Sequence, residues 1–188
     1  MTRSELAQRI YDVSNLKGEF RLRSGRMSNE YFDKYLFEGQ PAILLAIAEA
    51  MAQIVPADTD ALAGLEMGGI PVVTMLSQIT GIPALFVRKK PKEHGTCKLA
   101  EGGEIRGRRL VVVEDVVTSG GQIIESVHEL RALGATVTDV LCVIDRESGG
   151  RENLAAKGLT LHPLFLMSEL KRAASQAPET PLHAEAER

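Results

Sequence analysis

From residue 41 onward the chain alternates between short aliphatic runs and longer amphipathic stretches. ALAGL (61–65), ALFVR (84–88), LVVVE (110–114) and TDVLCVID (138–145) are near-continuous apolar runs of strand length, and a last one spans Thr160 to Met167. Helical stretches lie between them. PAILLAIAEAMAQIV opens at Pro41, a second helix runs from Pro71 to Ile79 with Gly81 closing it, and GQIIESVHELRAL ends near Gly134 with apolar positions at Ile124, Val127 and Leu130. A short helix is expected around Glu152 to Lys157. Earlier in the chain, Thr2 and Glu5 form a capping-box pattern that starts a helix over Glu5 to about Val13. GEFRLRSGRMSNEYFDKYLFEG (18–39) alternates loosely between Gly and Asn turn signals and predicts short strands or a hairpin. The segment from Arg172, RAASQAPETPLHAEAER, has little to bury and is expected to be disordered.

Strands alternating with helices predict an α/β fold with a mostly parallel sheet covered on both faces, as a single domain over residues 1–171. In such sheets ligands sit beyond the carboxyl ends of the strands. Glu66 to Gly69, Arg88 to His94 and Glu114-Asp115 fall at three of those ends, and Arg146 lies just past a fourth.

Composition narrows the partners. Of 188 residues 44% are hydrophobic and 25% charged, and the net charge is −3, so no general nucleic-acid footprint exists. No apolar run approaches the ~20 residues a membrane span needs, and the N-terminus lacks a signal-peptide block. Cys97 and Cys142 offer neither a disulfide framework nor a zinc spacing; reduced thiols in the cytoplasm are the expectation.

LVVVEDVVTSGGQ, Leu110 to Gln122, carries the chemistry. Thr118, Ser119, Gly120, Gly121 and Gln122 join a strand to a helix, where small residues let backbone amides converge at the positive helix end. This pattern suits a phosphate, and a tight connection would also explain it; it is neither a Walker loop nor GxGxxG. Glu114 and Asp115 just before it could accept hydrogen bonds from vicinal sugar hydroxyls or help hold a hydrated divalent cation, and a solvated acidic pair is the alternative. Together they describe a ribose 5-phosphate site. Arg88, Lys89, Lys92 and His94 gather in a long, Gly-rich loop suited either to an anion-binding lid or to a solvated basic surface.

LVVVEDVVTSGGQ resembles the PRPP-binding signature of the type I phosphoribosyltransferases. GEFRLRSGRMSNEYFDKY, GGIP (68–71), FVRKKPKEHGT (86–96) and VIDRESGG (143–150) are similar, in order, to orotate phosphoribosyltransferases. The resemblance implies the type I phosphoribosyltransferase fold with a small N-terminal hood over about 14–37. It implies transfer of ribose 5-phosphate from PRPP to orotate, giving orotidine 5′-monophosphate and pyrophosphate in pyrimidine biosynthesis. Glu114 and Asp115 would bind the ribose hydroxyls, Thr118 to Gln122 the 5-phosphate, and Gly68 and Gly69 the pyrophosphate. Arg88, Lys89, Lys92 and His94 would form a catalytic loop reaching into the partner's site of a homodimer. Thr118 and Arg146 would contact the orotate, and Tyr31 and Phe32 would line the base pocket from the hood; for the cation that its carboxylate needs, Arg146 is the first choice and Arg23 the second. Mg²⁺ would be held mainly by PRPP rather than by the chain.

Departures from the enterobacterial-type pattern are Arg23 for Lys, Gly68 for Lys just before the Gly-Ile-Pro turn, and Glu114 for the common Asp. Backbone amides of Glu66 to Gly69 are expected to serve where that second lysine is missing. Two alternatives remain open: an enzyme of the same fold acting on another base, and a non-catalytic PRPP-binding regulator.

Overall fold

In the computed structural model, residues 1–21, 25–90 and 98–176 are described. Fifteen elements occur in them, in the order α1 (Arg3–Ser14), β1 (Asn15–Arg21), β2 (Met27–Phe32), α2 (Lys34–Glu38), α3 (Pro41–Ala52), β3 (Ala61–Leu65), α4 (Gly69–Thr80), β4 (Ala84–Val87), β5 (Ala100–Glu101), β6 (Arg109–Val117), α5 (Gly121–Ala132), β7 (Thr136–Asp145), α6 (Gly150–Ala155), β8 (Thr160–Leu166) and α7 (Met167–Gln176). The Thr2 capping box forms as expected: its hydroxyl accepts from the Glu5 amide, and the Glu5 carboxylate accepts from the Thr2 amide. Gly81 closes α4 in the left-handed region, at φ 74°.

Six strands build the main sheet in the order β5-β4-β3-β6-β7-β8. All neighbours are parallel except the short edge strand β5, which runs antiparallel to β4. Successive strand residues feed opposite faces, which is why the runs read as continuously apolar. Leu62, Val111 and Val113 pack with α1, α3 and α4, whereas Ala61, Ala63, Leu110 and Val112 pack with α5. β1 and β2 pair separately as an antiparallel hairpin. Among the described residues no helix is long and apolar enough to cross a membrane.

Strand order reverses between β3 and β6. The chain moves outward from β3 to β4 on one side, then returns to lay β6 against the other side of β3. At such a switch point the two connections leave in opposite directions, and a crevice opens between the carboxyl ends of the strands. The turns after β3 and β6 are the ones that carry Gly68-Gly69 and the Thr118 to Gln122 segment.

Four expectations are corrected. The third main strand does not stop at Glu114: Glu114, Val116 and Val117 continue to pair with Cys142, Ile144 and Asp145, so the two acids lie within β6. The buried stripe of α5 is Ile123, Val127 and Leu130, at i, i+4 and i+7, with Ser126 also buried and Ile124 only half-buried. Residues 18–39 contain the helix α2 as well as the hairpin, started by Asp33, whose carboxylate accepts from the Tyr35 amide. The chain also stays helical past residue 171. α7 reaches Gln176 because Leu170 and Ala173, three apart, pack into the same core that takes α1.

Candidate active site

The segment after β6 is a tight turn braced from behind. Gly120 adopts φ 77° as the N-cap of α5, so the chain enters the helix from a left-handed position that favours glycine. The Asn153 side-chain amide donates to the Ser119 carbonyl at 3.0 Å. Gly150 lies so close beneath that a Cβ there would sit 2.4 Å from the Thr118 carbonyl oxygen. Thr118, Ser119, Gly121 and Gln122 stay exposed on the other side. The first amides of α5 have no carbonyl of their own helix to bond and face this turn with the positive end of the dipole.

The turn forms one wall of a cleft of about 540 Å³. Glu114, Thr118, Ser119, Gly120, Gly121 and Gln122 line it from the sheet side, Tyr31 and Phe32 from the hairpin, and Arg146 from the end of β7. Seven of the expected contact residues thus meet the expected base-pocket pair across one space. Tyr31 is held by a tilted contact with Phe20, ring centroids 5.6 Å apart, and Phe32 by one with Tyr11 at 6.3 Å. Arg146 is set by its surroundings. Its amide donates to the Val117 carbonyl, and Glu147 beside it takes φ 56°, an uncommon conformation for a residue with a Cβ. Glu147 is pinned there from both sides: the Asp145 carboxylate accepts from its amide, and its own carboxylate accepts from the Ser168 amide and hydroxyl.

The two acids differ. Glu114 faces the cleft, whereas Asp115 is wholly buried. Asp115 Oδ2 lies 2.6 Å from Lys34 Nζ of α2, a charge pair rather than an aligned hydrogen bond, and Oδ1 accepts from the Val116 amide. Asp115 also explains the glycine at 68, since a Cβ there would fall 1.5 Å from Asp115 Oδ2. A side chain at residue 68 would require the Asp115 carboxylate or the turn to shift. Gly69 is equally confined, by the Val113 carbonyl oxygen at 2.3 Å.

Glu38, one turn beyond Lys34 in α2, is also buried, and its carboxyl interacts with Asp115. Burial first, then the hydrogen bond and charge of Asp115, push Glu38 up to about 9. Burial and the Asp115 charge hold Glu114 well above the ordinary carboxylate range. Burial disfavours the Lys34 charge, but contact with Asp115 and the charges of Asp115 and Glu114 outweigh it and raise its pKa. Neither Lys34 nor Glu38 was expected from sequence. The available signal was their i, i+4 spacing behind Asp33, a helix N-cap, within a stretch that reads as strand.

The turn after β3 is tied to its neighbours through Glu66. Its carboxylate accepts from the Lys89 amide at 2.5 Å, and its carbonyl accepts from the Gln122 side-chain amide at 3.2 Å. Arg88 and Lys89 do not line the 540 Å³ cleft; they border a larger hollow of about 1100 Å³ that Gln122 also reaches. Arg88 lies 3.8 Å from Glu101 across the base of the loop. Arg23, Lys92 and His94 lie outside the described residues. His128 in α5 is exposed, 3.6 Å from Glu129. Among the described residues no three His, Cys, Asp or Glu side chains gather as a metal cage. The donors present fit a hydrated cation brought in by a substrate: Asp115 is already charge-paired, and Glu114 is the member of the pair that faces the cleft.

Residues 37–162 match the phosphoribosyl transferase domain family. An orotate phosphoribosyltransferase of Nocardioides sp. is 51% identical over 89% of this chain and 94% of its own. One from Pyrococcus abyssi is 42% identical over 92% and 97%. Among solved structures, the orotate phosphoribosyltransferase of Mycobacterium tuberculosis in complex with PRPP superposes with a TM-score of 0.78 at 30% identity, covering 90% of this chain and 98% of that one.

Proposed function

Because this chain belongs to the phosphoribosyl transferase family, among the orotate phosphoribosyltransferases, we propose that it transfers ribose 5-phosphate from PRPP to orotate in the cleft between β6 and the hairpin. The observation that supports this most strongly is the juxtaposition at the switch point. A helix-capped turn of small residues, a carboxylate facing the cleft and a strand-end arginine all surround one space.

In this reading the 5-phosphate rests on the amides and hydroxyls of Thr118 to Gln122. The ribose hydroxyls meet Glu114, with Asp115 behind it. The pyrophosphate lies along the turn from Glu66 to Gly69, where backbone amides serve in place of side chains. Arg146 receives the orotate carboxylate, and Tyr31 and Phe32 cover the ring and keep water from it. Breaking the bond at the anomeric carbon builds positive charge on the sugar and negative charge on the departing pyrophosphate. The chain's task is to hold the ring nitrogen against that carbon and to place cations beside the leaving group, where low dielectric strengthens them. Lys89, Lys92 and His94 are the candidates from the loop, with Arg88 at its base, supplied across a homodimer interface. Glu114 would be the carboxylate beside a hydrated magnesium ion brought in with PRPP, and such an ion would supply further charge neutralisation for the leaving group. A cytoplasmic setting fits substrates of this kind.

The test is orotate consumption followed by absorbance with PRPP and Mg²⁺, set beside hypoxanthine, adenine and uracil. Turnover with orotate alone is expected. Equal or better turnover with another base would reject the orotate assignment, and PRPP binding without pyrophosphate release for any base would reject catalysis. Arg146→Ala is expected to raise the KM for orotate by roughly 10²-fold, the loss of a charge-assisted bidentate contact.

A further inference from the structure

We propose that Lys34 is a positioning residue for PRPP binding: by pairing with buried Asp115 it fixes the carboxylate of Glu114 and couples the hairpin to the sugar-binding floor. This rests on the reading of the cleft as a PRPP site. The argument is geometric. Asp115 has no solvent exposure, so its carboxylate needs partners inside the protein. Its two oxygens have separate ones: Oδ1 takes the Val116 amide, and Oδ2 meets Lys34 Nζ at 2.6 Å. The backbone amide of the same residue donates to Glu114 Oε2 at 3.2 Å. Contacts therefore run without a gap from the Lys34 ammonium through Asp115 to the carboxylate that faces the cleft.

Space adds to the constraint. The turn after β3 closes over Asp115 so tightly that residue 68 has room for no Cβ. Asp115 is held between the backbone of Gly68, its own strand, and Lys34 and Glu38 of α2, and the Lys34 ammonium is the cationic partner among them. Lys34 begins α2 two residues after Phe32, and its side chain, about one-third exposed, lines the same cleft as Tyr31 and Phe32. Losing its charge would leave a buried carboxylate uncompensated and release the hairpin from the sheet at the point where the two ligands meet. Glu38 behind it already hydrogen-bonds Asp115, but a carboxyl group is neutral at most and cannot replace the missing cation.

The experiment titrates PRPP with Mg²⁺ calorimetrically into the full chain and into Lys34→Met, Lys34→Arg and Lys34→Met/Asp115→Asn, and records Tm for each. Lys34→Met is expected to weaken PRPP binding at least ~10-fold, about 1.4 kcal/mol. Lys34→Arg, which keeps the charge, is expected to bind at least five times (about 1 kcal/mol) more tightly than Lys34→Met. The double variant is expected to regain most of the Tm lost by Lys34→Met without regaining affinity; if Lys34→Met does not fold, recovery of Tm in the double variant still supports the buried pairing. PRPP affinity unchanged within about twofold in Lys34→Met, or a double variant no more stable than the single one, would overturn the proposal. Absence of binding to the unsubstituted chain would overturn the PRPP reading itself, and is recognised before any variant is made.

Discussion

Gln122 donates its side-chain amide to the carbonyl of Glu66 across 3.2 Å, joining the first turn of α5 to the turn after β3. The bond crosses the switch point, so the segment expected to hold a 5-phosphate and the one expected to hold pyrophosphate are fixed relative to one another. PRPP carries both groups on one sugar, and their spacing in the protein has to match. A net hydrogen bond is worth about 1 kcal/mol, so Gln122→Ala is expected to raise the KM for PRPP about fivefold. Tm should move by no more than a few degrees, because Gln122 is exposed. Steady-state kinetics at saturating orotate reads the effect; an unchanged KM would show that the two turns hold their spacing without this bond.

Residue 68 provides a steric test. In Gly68→Ala the new Cβ would start 1.5 Å from Asp115 Oδ2, so either the turn or the acid must move. Turnover is expected to fall at least ~10²-fold, the scale associated with misplacing a preorganised group. Gly150→Ala acts from outside the cleft, its Cβ pushing on the Thr118 carbonyl from behind. It is expected to raise the KM for PRPP by a larger factor than the KM for orotate, a difference visible in paired substrate titrations.

Glu38 gives a stability signature in pH. Its folded pKa is raised to about 9 from an ordinary 4.5. Between those values the folded chain keeps a proton that the unfolded chain has lost, so stability falls as pH rises through that window and levels off beyond it. Glu38→Gln holds a neutral group at every pH. Thermal melts from pH 5 to pH 9 are expected to show a larger decline in Tm for the unsubstituted chain than for Glu38→Gln, with the variant the more stable at pH 9. Parallel curves would mean that Glu38 is ionised in the fold.

At the opposite end of the sheet, Asp139 accepts from Thr138 at 2.7 Å, meets His162 at 2.8 Å and lies 3.5 Å from Arg109. Burial raises its pKa, but the bonds from Thr138 and His162 and the nearby charges outweigh it and bring the value below the ordinary 3.8. Its contribution is therefore present above that ordinary value and is lost as pH falls through the folded one. Asp139→Asn is expected to lower the urea midpoint at pH 7, with the gap to the unsubstituted chain closing under strong acid. Activity at pH 7 should be retained, since Asp139 lies at the far end of β7 from the cleft.

Much of the frame was readable because it depends on local rules. Short aliphatic runs of strand length bounded by turn residues read as strands buried on both faces, and the Thr2 cap, Pro41 and Gly81 mark helix ends by backbone chemistry that needs no neighbours. The small-residue turn after the acids was legible for the same reason. Errors arose where neighbours decide. Glu114 and Asp115 look like the end of a strand until β7 is seen pairing beyond them. Arg172 to Gln176 look like tail until α7 is packed beside α1. Lys34 looks like one more exposed lysine in an irregular polar stretch.

By itself, the order of residues determined the α/β alternation, the turn chemistry at Thr118 to Gln122 and the types of group available at the strand ends, because each follows from bonds and sterics within a few positions. Only the tertiary structure decided which of those groups share a space. It set Glu114 toward the cleft and Asp115 away from it, brought Lys34 from the hairpin side onto a carboxylate 81 positions later, and left Gly68 no room for a side chain. The physical reason is that burial and charge pairing are properties of packed neighbours, and the neighbours here come from distant parts of the chain.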